Sequence, residues 1–202
     1  MTETNVPSNM SAYLSSLLTW TVDNDIELNT SETTEMILGQ IDSSSISPLP
    51  TAAGPIQWVT NFKLLGINLD ASLSWTTHIN IIVSKASKRL YFLKQLRRAG
   101  VRPHQLLLFY TSVIRSVLEY AFPVWHYSIT HAQSEQLESI QKRAIHIIFA
   151  FSRGMSYPNL LFVSDINSLK DRHDKLSRSF FQNTWNPASC LHYLLPPLVT
   201  LM

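Results

Sequence analysis

The chain is 202 residues long, 45% hydrophobic and 15% charged, which is enough for one substantial core or two small ones. Its formal net charge of +2 hides an uneven distribution: residues 1–62 hold seven acids and no base, while residues 63–202 hold all sixteen bases. An acidic third before a basic remainder points to nucleic-acid contact or self-complementary packing, and the single cysteine, Cys190, excludes a disulfide framework and a Cys-rich zinc site.

In chain order, residues 1–10 are polar, and Tyr13, Leu14, Leu17 and Leu18 give residues 11–22 the spacing of an amphipathic helix. Residues 25–29 read as a short extended piece, 35–41 as a strand, and the Ser- and Pro-rich stretch 43–55 as a loop. The runs 56–59 and 62–69 complete a small antiparallel sheet over about 35–69. The second run reads as a buried strand ending at a turn. With only Thr60 and Asn61 between them, the two runs fit either one strand or a hairpin.

The period then becomes helical. Ile79, Ile82, Val83, Ala86, Leu90 and Leu93 recur every three or four residues, and Gly100 and Pro103 stand where one helix stops and the next begins. Leu106, Leu107, Tyr110, Val113, Ile114, Val117 and Leu118 give the next helix a wide apolar face, which the aromatic segment 119–126 interrupts. Thr130 and Gln133 form a capping box for a helix reaching about Phe151, with Leu137, Ile140, Ala144, Ile147 and Ile148 inward and Glu138 four residues before Lys142. Ser168 and Asp171 open a last helix whose apolar residues are Leu176, Phe180 and Phe181. The expected class is α+β, mostly α: a small sheet followed by a helical bundle.

The sequence carries few signs of catalysis. A metal-dependent oxygenase needs a His-x-Asp pair with a distant His, and none of the seven histidines (78, 104, 126, 131, 146, 173, 192) has Asp or Glu at plus two. His173-Asp174 reads as a solvent-exposed polar pair, its side chains pointing apart on a helix. The five glycines are isolated, so no phosphate cradle or methyl-donor turn is visible. Cys190 and His192 read as local packing, and Asp23 and Asp25 as a polar loop. No cofactor, metal or catalytic residue is expected.

What remains is charge. Between Ala71 and Leu118 there are eight Lys or Arg and no acid. Lys85, Lys88, Arg89, Lys94, Arg97, Arg98 and Arg102 are the candidate nucleic-acid contacts, with Tyr91 and Phe92 beside them; Arg forks onto phosphates and aromatic faces stack on unpaired bases. The competing reading is a solvated basic face whose Lys94, Arg97 and Arg98 offset the helix dipole. Trp125 and His126 read as core aromatics.

The string Phe62-Lys63-Leu64-Leu65-Gly66-Ile67-Asn68-Leu69-Asp70, then Leu73-Ser74-Trp75, His78-Ile79 and Lys85-Ala86-Ser87-Lys88-Arg89-Leu90, resembles the C-terminal part of LINE-type (non-LTR) retrotransposon reverse transcriptases. Further resemblance lies in Tyr110-Thr111-Ser112-Val113-Ile114-Arg115-Ser116-Val117-Leu118-Glu119-Tyr120-Ala121-Phe122-Pro123-Val124-Trp125-His126. It continues in Leu137-Glu138-Ser139-Ile140-Gln141-Lys142-Arg143-Ala144, Asp171-Arg172-His173 and Leu194-Leu195-Pro196-Pro197. The resemblance implies a truncated palm-like remnant at 1–70 and a thumb-like helical domain at 71–202 that grips template and primer. Phe62, Lys63, Leu65 and Gly66 would be primer-grip-like, although Leu64 stands where the family usually has Tyr. The family's metal-binding aspartates would precede residue 1, and Glu32 stands where the family has a lysine. In-line nucleotidyl transfer then lacks its two-metal clamp.

Closely similar segments also resemble a region named as the N-terminal domain of AlkB homologue 8, a label that carries methyltransferase and 2-oxoglutarate dioxygenase terms. The missing His-x-Asp and glycine-rich motifs place neither activity here. The expectation is a non-catalytic reverse-transcriptase fragment binding RNA or DNA. The alternative is an AlkB homologue 8 N-terminal-like binding or scaffold module. An apolar stripe built to pack on absent elements implies self-association. With no basic n-region at the start and no apolar run near ~20 residues, an intracellular, non-membrane setting is expected, nucleus and cytoplasm not being distinguished.

Overall fold

The structure, a computed structural model, describes residues 9–39, 46–149 and 154–195. The chain divides into two compact units, Met1–Leu73 and Ser74–Met202.

The first unit opens with helix α1 (Met10–Asp23), whose Met10, Tyr13, Leu17 and Trp20 are exposed. Three short ladders follow. β1 (Thr34–Glu35) pairs in parallel with β4 (Gln57–Trp58), β2 (Pro50–Thr51) pairs antiparallel with β3 (Gly54–Pro55), and β5 (Asn61–Leu64) pairs antiparallel with β6 (Ile67–Asp70). Glu35 ties the first two together. Its carboxylate accepts hydrogen bonds from the Trp58 indole at 2.7 Å and the Leu49 amide at 3.3 Å. Asp70 closes the hairpin by accepting from the Ser72 amide at 2.8 Å and from its hydroxyl, which hold the carboxyl below its ordinary pKa.

Where one antiparallel sheet was expected, the described residues thus form three separate ladders, one of them parallel. The strand expected at 35–41 is only Thr34–Glu35; Met36 to Gly39 has no ladder, and Gln40 and Ile41 lie outside the described residues. The run 62–69 is an exposed hairpin, not a buried strand. Its turn residues, Leu65 and Gly66, both have positive φ, at 47° and 87°, as a two-residue type I′ turn requires. Lys63 faces Asn68 and Phe62 faces Leu69 across it.

In the second unit the periodicity of the sequence becomes packing. α2 (Thr76–Arg98) buries Ile79, Ile82, Ala86, Leu90 and Leu93, and Val83 is half-buried. Gly100, with φ of 81°, ends it: the Gly100 amide donates to Arg97 O at 3.0 Å and the Val101 amide to Leu96 O at 3.2 Å, the paired bonds of a Schellman stop. Pro103 begins α3 (Pro103–Phe109), which runs through a π-helical turn (Tyr110–Arg115) into α4 (Ser116–Leu118). The regular helix expected here is distorted for a visible reason. Its buried residues, Leu106, Tyr110, Ile114 and Leu118, are each four apart, and an α-helix would turn that stripe by about 40° per step. The wider π turn keeps it facing inward.

The aromatic segment is not a loop but α5 (Phe122–Trp125) and a 3₁₀ turn (His126–Ser128). α6 (His131–Ile148) carries the expected capping box at Thr130 and Gln133 and buries Leu137, Ile140, Ala144, Ile145 and Ile148; Phe151 lies outside the described residues. α7 (Tyr157–Ser164) was not anticipated, although Ser156 and Pro158 mark its start. α8 (Leu169–Thr184) is capped by Ser168, which accepts from the Asp171 amide at 3.0 Å. Its inward residues are Leu169, His173, Ser177 and Thr184, whereas Phe180 and Phe181 are exposed. A 3₁₀ turn (His192–Leu194) follows, and Pro196 and Pro197 lie outside the described residues.

A leucine in the left-handed region costs roughly 1–2 kcal/mol that asparagine largely avoids. Leu65→Asn is therefore expected to slow amide exchange across β5–β6 about fivefold, corresponding to ~1 kcal/mol; unchanged exchange would contradict the turn assignment.

Candidate nucleic-acid interface

α2 and α6 pack side by side and are clasped at both ends. At their starts, Gln133 Nε2 donates to Ser74 O and to Thr76 Oγ1, both at 3.2 Å, while its Oε1 completes the capping box by accepting from the Thr130 amide at 2.8 Å. At their ends, Arg97 Nη1 donates to Ile147 O, and to His146 O at 3.4 Å. The two helices therefore run in the same direction.

This geometry sorts the predicted cations. Arg97 seals the C-terminus of α6, and Arg89 donates to Val113 O inside the π turn. Both arginines are part-buried and held by backbone carbonyls. Lys85, Lys88, Lys94, Arg98 and Arg102 are exposed, and their side chains make no hydrogen bond or ion pair among the described residues. Lys85, Lys88, Lys94 and Arg98 lie around the solvent side of α2, with Tyr91 and Phe92 between them. Those two rings meet edge to face with centroids 5.7 Å apart and are 59% and 58% exposed. Arg102 stands at the N-cap of α3. Lys94, Arg97 and Arg98 line an open notch of about 400 Å³ with His146 and Ile147. Sequence reasoning missed His146 because it belongs to a different helix. The primer-grip-like residues Phe62, Lys63, Leu65 and Gly66 sit together on the β5–β6 hairpin of the first unit, and Leu65 is 83% exposed.

A second cluster surrounds Trp125, which is fully buried, as expected, and donates its indole N–H to Tyr120 O at 3.1 Å. His173 and Asp174 are not an exposed polar pair: His173 follows Leu169 by one turn on the inward stripe of α8 and is 1% exposed. It stacks on Phe122 at 4.6 Å and meets His126 edge-on at 4.9 Å. Asp174 accepts a hydrogen bond from His126 Nε2 at 2.9 Å, and this contact lowers its pKa, with Lys170 acting in the same direction. Burial holds His173 well below its ordinary value, to about 3, with His126 and Arg172 reinforcing the shift. His78, between Trp75 and Trp125, is lowered by burial and then by Lys85.

A cleft of about 680 Å³ opens beside this cluster, lined by His126, Asp174, Glu138, Tyr157, Lys170 and Arg178 among others. Of its two histidines, His131 is exposed beside Glu135, and His126 is poorly placed as a general base, because its Nε2 is taken by Asp174 and its Nδ1 is enclosed by protein. Glu138 accepts from the Tyr157 hydroxyl, and from the Lys170 amide at 2.9 Å, rather than pairing with Lys142. Cys190 is exposed. Among the described residues, no group of three or more His, Cys, Asp or Glu is placed to hold a metal, and no helix is long and apolar enough to cross a membrane.

Fold and site together describe a small, mostly helical module with a basic, aromatic-bearing helix on its surface. A family model described as alkylated DNA repair protein alkB homolog 8, N-terminal, matches residues 75–116, the stretch from the N-cap of α2 to the start of α4. No curated protein and no solved structure matches the chain.

Two measurements check the assignments. Arg97→Met removes charged donors from a helix end and is expected to cost about 2 kcal/mol in denaturant unfolding, whereas Lys88→Met changes stability by under ~0.5 kcal/mol; equal effects would refute the division of the cations. His173 is neutral in the fold but takes up a proton below pH 6.5 when unfolded. Its contribution is therefore complete above pH 6.5 and lost as pH falls toward 3, about 2 kcal/mol by pH 5. His173→Gln should flatten that decline between pH 7 and 5; an unaltered profile would exclude His173 as its source.

Proposed function

We propose that the helical unit is a non-catalytic binding module that holds a nucleic acid, RNA or DNA, against the exposed face of α2. The carrying observation is the set of five exposed cations, Lys85, Lys88, Lys94, Arg98 and Arg102, whose side chains are unpaired among the described residues, in a segment without acids from residue 71 to 118. Surplus charge of this kind gains free energy by releasing the counterions condensed on a phosphate backbone. The match to the N-terminal region of alkB homolog 8 over 75–116 covers this same helix, and supports a binding or scaffold module of that type without implying demethylation or methyl transfer.

A second reading is favoured by the motifs between Phe62 and Pro197 that resemble LINE-type reverse transcriptases. It makes the chain a thumb-like fragment whose basic helix once held template and primer. That resemblance supports the same binding face; primer extension by the purified chain would refute the non-catalytic assignment. The exposed apolar stripe of α1 is the surface for association between copies.

The test is fluorescence anisotropy of a labelled RNA hairpin with the full chain at about 50 and 200 mM salt. Up to five phosphate contacts predict a weakening of roughly 100- to 500-fold between those concentrations, and Lys85→Glu/Lys88→Glu/Lys94→Glu abolishes binding while circular dichroism is unchanged. Absence of binding at 50 mM, or binding indifferent to salt and to the triple change, would overturn the reading.

A further inference from the structure

We propose that the nucleic acid taken by α2 is single-stranded: an unpaired base stacks on the Tyr91–Phe92 pair while a neighbouring phosphate enters the notch formed by Lys94, Arg97, Arg98 and His146. This inference rests on the nucleic-acid reading above and narrows its substrate class.

The aromatic pair is the first reason. Tyr91 and Phe92 are more than half exposed, on a helix face that otherwise carries charge. Exposed rings there gain nothing from a duplex, whose bases are stacked on one another and present charged backbone to an approaching helix. An unpaired base offers its whole face to the ring, worth about 5- to 150-fold in affinity per base. Edge-to-face contact between the two rings limits their reorientation, which lowers the ordering cost on binding.

The second reason is which cations are available. Arg89 and Arg97 already donate to Val113 O and Ile147 O, so two of the forked side chains suited to guanine edges in a major groove are committed to the fold. Of the exposed cations that remain, Lys85, Lys88 and Lys94 are mobile point charges, which suit a backbone followed without regard to sequence, and the two arginines lie at the ends of their helices, Arg98 as the last residue of α2 and Arg102 at the N-cap of α3. The chemistry left on the face is stacking plus phosphate attraction.

The third reason is the charge balance of the notch. It lies where the C-termini of α2 and α6 converge, and each contributes about half a negative charge. Lys94, Arg97 and Arg98 exceed that by about two positive charges, a surplus sufficient for one phosphodiester. Along α2 the notch begins three to seven residues beyond Tyr91, about 4–10 Å at 1.5 Å per residue, or roughly one to three stacked nucleotides. A base on the pair and a phosphate in the notch thus belong to adjacent parts of one strand.

The experiment uses the full chain with a labelled unstructured 12-mer RNA, a blunt RNA duplex of the same sequence, and heparin as a polyanion without bases. The single strand is expected to bind at least about tenfold more tightly than the duplex. Tyr91→Ala/Phe92→Ala should lose about tenfold or more for the single strand and leave heparin affinity unchanged, while Tyr91→Trp restores most of the loss. Equal affinity for duplex and single strand, or a double-alanine variant that binds the 12-mer normally, would overturn this inference while the nucleic-acid reading stands. Heparin binding with no affinity for either RNA would overturn both.

Discussion

The second unit depends on the two-ended clasp between α2 and α6. Apolar packing along Ile79, Ile82, Ala86, Leu90 and Leu93 brings the helices together but does not fix their register, because burial is non-directional. Gln133 and Arg97 fix it. Gln133 serves its own helix cap with its oxygen and the start of α2 with its nitrogen, so one side chain ties both N-termini together. Arg97 joins the two C-termini. Helices running the same way oppose each other's dipoles, and the cations gathered at their ends offset that cost. The basic character of the C-terminal half of α2 is in the first place a requirement of the fold, and only its surplus is available to a ligand.

A buried polar relay extends the clasp across the unit. Tyr110 donates to Gln141 Oε1 at 2.6 Å; Gln141 Nε2 donates to the Tyr157 hydroxyl at 2.9 Å and to Asn167 O at 3.0 Å; Tyr157 donates to Glu138. Burial raises the pKa of both tyrosines and keeps them neutral donors. The π turn sets Tyr110 at the head of this chain, and Arg89 reaches a carbonyl of that same turn. A distortion of this kind is often found at a functional site; here its first effect is internal, aligning a stripe of every-fourth residues and supplying the relay with its phenol.

How far the sequence could be read follows from the range of each signal. Helix boundaries written in local chemistry, such as the Thr130–Gln133 box, the Ser168 cap and the Gly100 stop, lie where the sequence places them, because each is decided within about four residues. Signals that need a partner elsewhere in the chain were misread. His173 looked like a surface residue beside Asp174, and only the arrival of Phe122 and His126 shows it to be core. Phe180 and Phe181 are the apolar residues near the end of α8 in the sequence, but they are exposed, and the buried side there is held by Ser177 and Thr184. The run 62–69 has the composition of a buried strand, yet Leu65-Gly66 bends it into an exposed hairpin.

The candidate site shows the same division most sharply. Seven cations in a segment without acids were legible as a basic field, but a sequence cannot say which of them the fold consumes. Arg89 and Arg97 are eight residues apart, two turns and about 80° round the helix, and both donate to backbone carbonyls of neighbouring elements, whereas Lys94 between them is exposed. Arginine is spent on fixed carbonyl geometry because its planar fork is pre-organised, and lysine is left at the surface because its ammonium is strongly hydrated. Residue type alone does not sort them, since Arg98 and Arg102 are exposed like the lysines; position relative to the apolar stripe does. In a helix packed on one side, arginines on the flanks of the apolar stripe are structural first, and the lysines and aromatics on the far side define what the helix can hold.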